Sequence, residues 1–274
     1  MTMMISLDTG DPAEIRRVLD WGFPLDKITS NPTSLSAFMK RVGGTVYDAA
    51  MELRDETKGI PISIEALGTT HYDTNLDSSI FVREAEIIDG WGKDFVVKLP
   101  AVQQGFDAAA QIDFVPINFT LVFSQHQGFL TGDYGGTYSS PFVGRYDDKL
   151  AALGLDRTGM DLADEIVRNF RSLEFATKVL VASVRNTGHI ELASLMGAHA
   201  ITMPFGIFRD LQDKVDWIKE LREKTRPYEP QKPRQPSCSG KFDEDKIRDY
   251  ERELLHAGIK KFLQDAQRAR YSII

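Results

Sequence analysis

The feature that most constrains the fold is an alternation of short β-rich runs with longer helical segments, which continues from the first residues to about position 222. Such alternation is typical of β/α units, in which helices join parallel strands. About eight runs occur, the number of parallel strands that closes a barrel. We therefore predict an α/β fold, a single (β/α)8 TIM barrel. The runs are MMISLD, KITSN, ISIEAL, FVVKL, INFTLVF, TYSSPFV, KVLVASV and AITMPF.

The segments between these runs carry helix signals. In DPAEIRRVLDWG, Asp11 is a plausible N-cap and Pro12 occupies the first helical position. The long segment from Thr33 to Gly59 contains the pair Gly43-Gly44, which argues against a single straight helix.

The pattern changes after position 224, and we divide the chain there. Residues 1–224 are expected to form the barrel, and residues 225–242, rich in proline and poor in large apolar side chains, are expected to form an extended linker. Residues 243–274 predict a charged amphipathic helix. Such a helix could dock on its own barrel or on a neighbouring subunit, and we expect the neighbour.

Composition excludes several classes of function. The formal net charge of −7 provides no basic field for nucleic acid or for anionic lipid. The single cysteine, Cys238, excludes an intrachain disulfide and suggests a reducing, cytoplasmic location. We find no secretory leader, membrane span, phosphate-binding loop, dinucleotide fingerprint or metalloprotease motif. We therefore expect no cofactor, no metal ion, no membrane and no nucleic acid partner.

Polar residues interrupt nearly every run near its C-terminal end, where parallel barrels place their active sites. Any one of them could simply be solvated or hydrogen-bonded locally. Two carboxylates and a lysine at one rim favour a functional site over local solvation, because unpaired charges at that depth destabilise the fold. In chain order, the residues are Asp8, Thr29, Asn31, Glu65, Lys98, Asn118, Thr120, Ser139, Ser140, Ser183 and Arg185.

Lys98 is the sharpest case, because it lies within the apolar run FVVKLP. Burial favours the neutral amine of a lysine, which is the form that attacks a ketone carbonyl. The alternative is a structural lysine paired with Glu65 or Asp8, and pairing and catalysis are compatible.

In order and spacing, SLDTG, ITSNPTSL, SIEA, FVVKLP, INFTLVFSQHQ, YSSPFVGRYDD, ASVRN and GAHAITMPF resemble the strand ends of transaldolases, especially the short-chain branch with fructose-6-phosphate aldolase-like enzymes. The resemblance covers roughly residues 4 to 215. It implies that Lys98 forms a Schiff base with a ketose phosphate and that Asp8 is the acid/base carboxylate. It also implies that Glu65 and Thr120 hold a water for proton transfer.

The same resemblance assigns the substrate-binding residues. Glu65 and Phe142 favour the transaldolase branch over the free aldolases, and an arginine pocket would hold the sugar phosphate. A salt bridge from Arg145 to Asp147 or Asp148 is the structural alternative for that arginine. The implied substrate-binding set is Thr29, Asn31, Asn118, Ser140, Phe142, Arg145, Ser183 and Arg185.

The leading hypothesis is therefore transfer of a dihydroxyacetone unit from a ketose phosphate to an aldose phosphate, as in pentose phosphate metabolism. The same chemistry on a sulfonated ketose, 6-deoxy-6-sulfofructose, and a free fructose-6-phosphate aldolase remain open. So does a catalytically silent barrel that acts as a scaffold through its tail. The resemblance also implies a homo-oligomer.

Overall fold

The computed structural model describes residues 1–274 and contains all eight predicted strands. The strands pair in parallel in chain order and close on themselves, so the prediction of a (β/α)8 barrel is confirmed. The strands are β1 (Met4–Asp8), β2 (Leu25–Thr29), β3 (Ile62–Glu65), β4 (Phe95–Pro100), β5 (Ile117–Val122), β6 (Tyr138–Pro141), β7 (Lys178–Val181) and β8 (Ala200–Pro204).

Helices surround this barrel. Asp11 caps the first helix by accepting a hydrogen bond from the Ala13 amide, as its sequence predicts. The helices are α1 (Pro12–Asp20), α2 (Pro32–Val42), α3 (Val46–Thr57), α4 (Ser78–Trp91), α5 (Gln103–Ala109), α6 (Gln125–Asp133), α7 (Val143–Leu153), α8 (Gly159–Leu173), α9 (Thr187–Met196), α10 (Phe205–Asp210) and α11 (Val215–Lys224).

The glycine pair divides the long helical segment in two. Helix α2 ends at Val42 and α3 begins at Val46. Between them, Gly43 and Gly44 have φ values of +83° and +91°, a region that residues with a Cβ rarely adopt. The expectation that this segment is not one straight helix is therefore confirmed.

Strand register brings the polar strand ends to one level. Glu65 on β3 is the register partner of Lys98 on β4, and Lys98 is that of Asn118 on β5. Asp8 on β1 is likewise level with Thr29 on β2. Because side chains alternate between the two faces of a strand, residues at matched positions point to the same side. Register thus gathers residues that are far apart in sequence.

The C-terminal tail lies over the rim of its own barrel. After α11, residues 225–243 are extended, a short 3₁₀ turn follows, and helix α12 (Asp249–Ala269) begins later than the expected position 243. The Tyr271 hydroxyl donates a 2.7 Å hydrogen bond to the carbonyl oxygen of Glu65, and Thr33 Oγ1 donates one of 2.6 Å to Asp265. Contact with a neighbouring subunit stays a prediction.

No helix combines the length and the apolar composition that crossing a membrane requires.

Candidate active site

A cavity of about 170 Å³ opens at the C-terminal ends of the barrel strands. Of the thirteen polar and aromatic residues that the sequence singles out, eleven line it. Glu65 lies beside it in contact with Lys98, and Ser139 is buried and does not line it. The lining residues from the predicted set are Asp8, Thr29, Asn31, Lys98, Asn118, Thr120, Ser140, Phe142, Arg145, Ser183 and Arg185.

Lys98 is buried and has two partners inside the barrel. Its Nζ donates a 2.7 Å hydrogen bond to the carbonyl oxygen of Ser30 and lies 3.0 Å from Oε2 of Glu65. We treat the second contact as an ion pair without a well-directed hydrogen bond, because Oε2 has no partner of acceptable angle. Lys98 thus forms the structural pair with Glu65 and also faces the cavity, so both readings of this residue are compatible with the structure.

Asp8 faces Lys98 across the cavity. Thr29 Oγ1 donates a 2.9 Å hydrogen bond to Asp8, and Asn31 Nδ2 lies 3.4 Å from each carboxylate oxygen. Burial raises the pKa of Asp8 above its ordinary value, although the charge of Lys98 and the two side-chain hydrogen bonds act in the opposite direction. A carboxyl group with a raised pKa can both hold and release a proton closer to neutral pH.

Glu65 also has a raised pKa, again because burial outweighs the attraction of Lys98. Its Oε2 and the hydroxyl Oγ1 of Thr120 are both buried and make no hydrogen bond with another protein group. Buried polar atoms are normally hydrogen-bonded, so the Thr120 hydroxyl retains capacity for a water or a ligand, and the Glu65 carboxylate has only the contact with Lys98.

A network of neutral side chains forms the floor of the cavity. Ser140 Oγ donates a 2.7 Å hydrogen bond to Asn118 Oδ1, and Asn118 Nδ2 donates one of 3.3 Å to Ser63 Oγ. These bonds fix the orientation of the Asn118 amide, which is level with Lys98 on the neighbouring strand. The amide is therefore held beside Lys98 in the wall of the cavity.

Arg145 has no acidic partner, which removes the structural alternative for that residue. Asp148 pairs with Arg185 at 3.3 Å, and Asp147 lies 3.0 Å from Nε2 of His189. Burial lowers the pKa of Arg145, and the carboxyl groups of Glu65 and Asp8 partly offset that effect. A cavity-lining guanidinium without a carboxylate partner is a suitable receptor for an anion.

Close packing of two backbone segments positions this arginine. The Arg145 amide donates a 3.2 Å hydrogen bond to Ser183 Oγ. A Cβ on the preceding residue, Gly144, would lie 2.1 Å from the Ser183 carbonyl oxygen, so only glycine permits the approach. The start of α7 is thereby held against the end of β7.

The sequence prediction missed two further polar or aromatic lining residues, Thr202 and Phe262. Thr202 Oγ1 lies 2.6 Å from Thr29 Oγ1, so it extends the hydrogen bonds around Asp8. The alternation of side chains along β8 could have indicated Thr202. Nothing in the sequence could place Phe262, because it reaches the cavity from α12.

A second cavity and two histidines lie outside this site. A second cavity of about 570 Å³ lies between α5 and α12 and contains none of the predicted site residues. His126 and His189 do not line the first cavity. No three histidine, cysteine, aspartate or glutamate side chains come together as a set that could hold a metal ion.

The fold and this site define an enzyme built on a (β/α)8 barrel. The sequence matches the transaldolase/fructose-6-phosphate aldolase family over residues 5–273, and the chain belongs to that family. A probable transaldolase of Aquifex aeolicus is 36% identical over 211 residues, which are 76% of this chain and 88% of the relative. One of Thermoplasma volcanium is 37% identical over 211 residues, 76% of this chain and 86% of the relative. The chain is thus an enzyme, a transferase.

Solved structures of lower sequence similarity share the fold alone. A 3-keto-L-gulonate-6-phosphate decarboxylase from Vibrio cholerae aligns with a TM-score of 0.53 at 16% identity, over 83% of this chain and all of the other. A thiamine phosphate pyrophosphorylase from Pyrococcus furiosus gives 0.51 at 13% identity, over 81% of this chain and 96% of the other.

Proposed function

We propose that the enzyme transfers a dihydroxyacetone unit from a ketose phosphate to an aldose phosphate through a Schiff base on Lys98. The observation that carries the proposal is the arrangement of Lys98, Asp8 and Arg145 around one cavity, with Glu65 in contact with the lysine. Family membership supports this class of reaction.

Schiff-base formation begins with attack of the neutral Lys98 amine on the C2 carbonyl of the ketose. The carbinolamine then loses water and leaves an iminium ion. Protons must reach the departing oxygen, and Glu65 with Thr120 would hold the water that delivers them. The Thr120 hydroxyl, which has no hydrogen-bond partner in the protein, and the Glu65 carboxylate in contact with Lys98 support that role.

Cleavage follows at the bond between C3 and C4. Asp8 takes the proton of the C4 hydroxyl, the electrons of the C3–C4 bond pass to the iminium, and an aldose phosphate leaves. The three-carbon unit stays on Lys98 as an enamine. An incoming aldose then adds by the reverse sequence, with Asp8 returning the proton.

The other cavity residues would hold the substrate. Asn31 and Asn118 would form hydrogen bonds with the three-carbon unit, and Ser140 would form one with its terminal hydroxyl. Arg145, Arg185 and Ser183 would bind the anionic group at the far end. Thr29 would act through Asp8, to which it donates its hydrogen bond.

A sulfonated ketose remains the second candidate substrate. Arg185 is already paired with Asp148, so Arg145 is the one pocket arginine without a carboxylate partner. A sulfonate carries one negative charge, whereas a phosphate monoester carries between one and two at neutral pH. This charge balance keeps 6-deoxy-6-sulfofructose under consideration.

The test is an assay of purified protein with fructose 6-phosphate, with and without a four-carbon aldose phosphate. We expect a seven-carbon ketose phosphate to form only with the acceptor present. Steady release of triose phosphate without acceptor would instead identify a free aldolase. Faster turnover of 6-deoxy-6-sulfofructose would reverse the phosphate assignment, and no turnover of any ketose would favour a silent scaffold.

We also propose a cytoplasmic location and a homo-oligomer in which α12 takes part in subunit packing. The exposed, unpaired Cys238 is consistent with a reducing compartment. Light scattering of the purified full chain would give the subunit number, and a monomer at micromolar concentration would contradict the oligomer.

A further inference from the structure

Helix α12 contributes one side chain to the cavity. Phe262 is buried and lines the cavity together with Arg145 and Phe142. The Arg145 Cζ atom lies 5.2 Å from the centroid of the Phe262 ring and 5.3 Å from that of the Phe142 ring. The guanidinium group is thus flanked by one ring from the barrel and one from the tail.

Two aromatic neighbours restrict what this guanidinium can do. Cation–π attraction favours contact between the guanidinium and the rings, and the rings cover part of its surface. The N–H groups lie in the plane of the guanidinium and make no side-chain hydrogen bond or ion pair within the protein. An anion that enters the cavity would therefore meet an oriented and partly desolvated fork of donors.

The helix is shaped for this approach. Gly258 precedes Phe262 by four residues and so lies on the same face of α12. A Cβ at Gly258 would lie 2.8 Å from Leu121 Cδ2 and 3.4 Å from Arg145 Nη1. Glycine at this position therefore lets the helix come close enough for the ring of Phe262 to reach the arginine.

Two hydrogen bonds hold the end of this tail, one at Asp265 within α12 and one at Tyr271 just after it. Asp265 accepts a hydrogen bond from Thr33, and the buried Tyr271 donates one to the Glu65 carbonyl oxygen. These bonds connect the C-terminal part of the tail to the first turn of α2 and to the last residue of β3. Phe262 thus lies next to two fixed points and not on a free end.

We propose that Phe262 is a positioning residue for anion recognition, which fixes the Arg145 guanidinium and so makes the tail part of the substrate-binding site. The inference rests on the proposed function and deepens it. According to the proposal, α12 helps the enzyme to prefer ketoses that carry an anionic group over uncharged ketones, such as dihydroxyacetone, that react at the same carbonyl.

The test compares Phe262→Leu with wild type and with two matched variants. Phe262→Tyr keeps an aromatic ring, and Ile259→Leu alters the same helix outside this cavity. Binding of inorganic phosphate is measured by calorimetry, and the Lys98 adduct with uncharged dihydroxyacetone is measured after borohydride reduction. We expect Phe262→Leu to weaken phosphate binding and raise KM for fructose 6-phosphate by about 3- to 30-fold. Adduct formation with dihydroxyacetone and kcat should stay near wild type.

Several outcomes decide the matter. Equal phosphate affinity in Phe262→Leu and wild type would overturn the proposal, as would a loss that Ile259→Leu reproduces or Phe262→Tyr does not rescue. If wild type binds phosphate but forms no adduct with any ketone, the proposed function fails, while the phosphate measurement still tests whether Phe262 positions Arg145 for anion binding.

A measurement on the wild-type chain covers the case in which Phe262→Leu does not fold. Because the binding of phosphate and the docking of α12 would be coupled, phosphate should slow amide hydrogen exchange in residues 258–266. Unchanged exchange at saturating phosphate would overturn the proposal.

Discussion

Two lysines are buried inside this barrel, and their surroundings differ. Lys98 is 4% exposed, Lys27 is 1% exposed, and both are on strands that form the wall of the barrel. Lys98 has a carbonyl oxygen and a carboxylate as partners. Lys27 has neither, and its Nζ lies 4.3 Å from the ring centroid of Tyr138.

The difference bears on the proposed role of Lys98, because both lysines are buried and burial by itself cannot select one of them as the nucleophile. Lys27 precedes Thr29 by two residues on β2, so it lies one layer deeper than the rim and does not line the cavity. Burial, followed by the charges of Lys98 and Lys178, lowers the pKa of Lys27 to about 7. An available neutral amine is therefore not sufficient, because Schiff-base chemistry also requires substrate access and nearby proton carriers.

The largest effect should follow from Lys98→Met. This change removes the amine and leaves Glu65 without its cationic partner, so we expect turnover of fructose 6-phosphate to fall to background. The matched control is Lys27→Met, which removes the other buried amine. Turnover above background in Lys98→Met, with the fold verified by circular dichroism, would show that the covalent step does not involve this lysine.

Asp8→Asn should separate Schiff-base formation from carbon–carbon cleavage. The asparagine can still accept hydrogen bonds but cannot take the C4 hydroxyl proton, so cleavage should slow by about 10²- to 10⁴-fold. The borohydride-reduced adduct between dihydroxyacetone and Lys98 should still form. Single-turnover measurements of both steps provide the check, and an equal loss in both would assign Asp8 to binding and not to proton transfer.

Lys27→Met should have little effect on activity and a clear effect on stability. The pKa of Lys27 is lower in the folded state than in the unfolded chain. Lys27 therefore lowers the free energy of unfolding most strongly below pH 7, and this destabilisation decreases as pH rises toward about 10.4. At pH 7, methionine should raise the free energy of unfolding by on the order of a few kcal/mol.

Denaturant titrations between pH 6 and pH 10 measure this effect. The gap in unfolding free energy between Lys27→Met and wild type should narrow as pH increases. A gap that is independent of pH would mean that Lys27 is not neutralised by burial. If Lys27→Met lost turnover by several orders of magnitude, Lys27 would also be required for activity and would not differ from Lys98 in that respect.

The sequence was sufficient to predict the barrel and the rim. Each of the eight runs forms a strand, because a β-rich apolar run between turn residues rarely adopts another secondary structure in an alternating β/α chain. The rim residues could be predicted because parallel strands bring their C-terminal ends to one edge. Asp8, Lys98 and Asn118 line one cavity for this reason. Arg145 lies in the first turn of α7, and only the family resemblance assigned it.

Other features depend on packing that local patterns do not encode. The stripe that contains Phe262 predicted an amphipathic helix, but docking on the barrel decides which residue of the stripe enters the cavity. The partners of Asp147 and Asp148 likewise depended on where His189 and Arg185 came to lie. Lys27 directly follows Asp26 in sequence, but Asp26 pairs with Arg222 and Lys27 is left without a counter-ion, which the sequence does not indicate.

The most direct test of this account is to locate the covalent adduct. Wild-type protein is incubated with fructose 6-phosphate and borohydride, and the intact mass and then the peptides are analysed by mass spectrometry. We predict a single dihydroxyacetone-sized adduct on the peptide that contains Lys98 and none on the peptide that contains Lys27. An adduct on Lys27, or a folded protein with no adduct from fructose 6-phosphate, 6-deoxy-6-sulfofructose or dihydroxyacetone, would contradict the central claim.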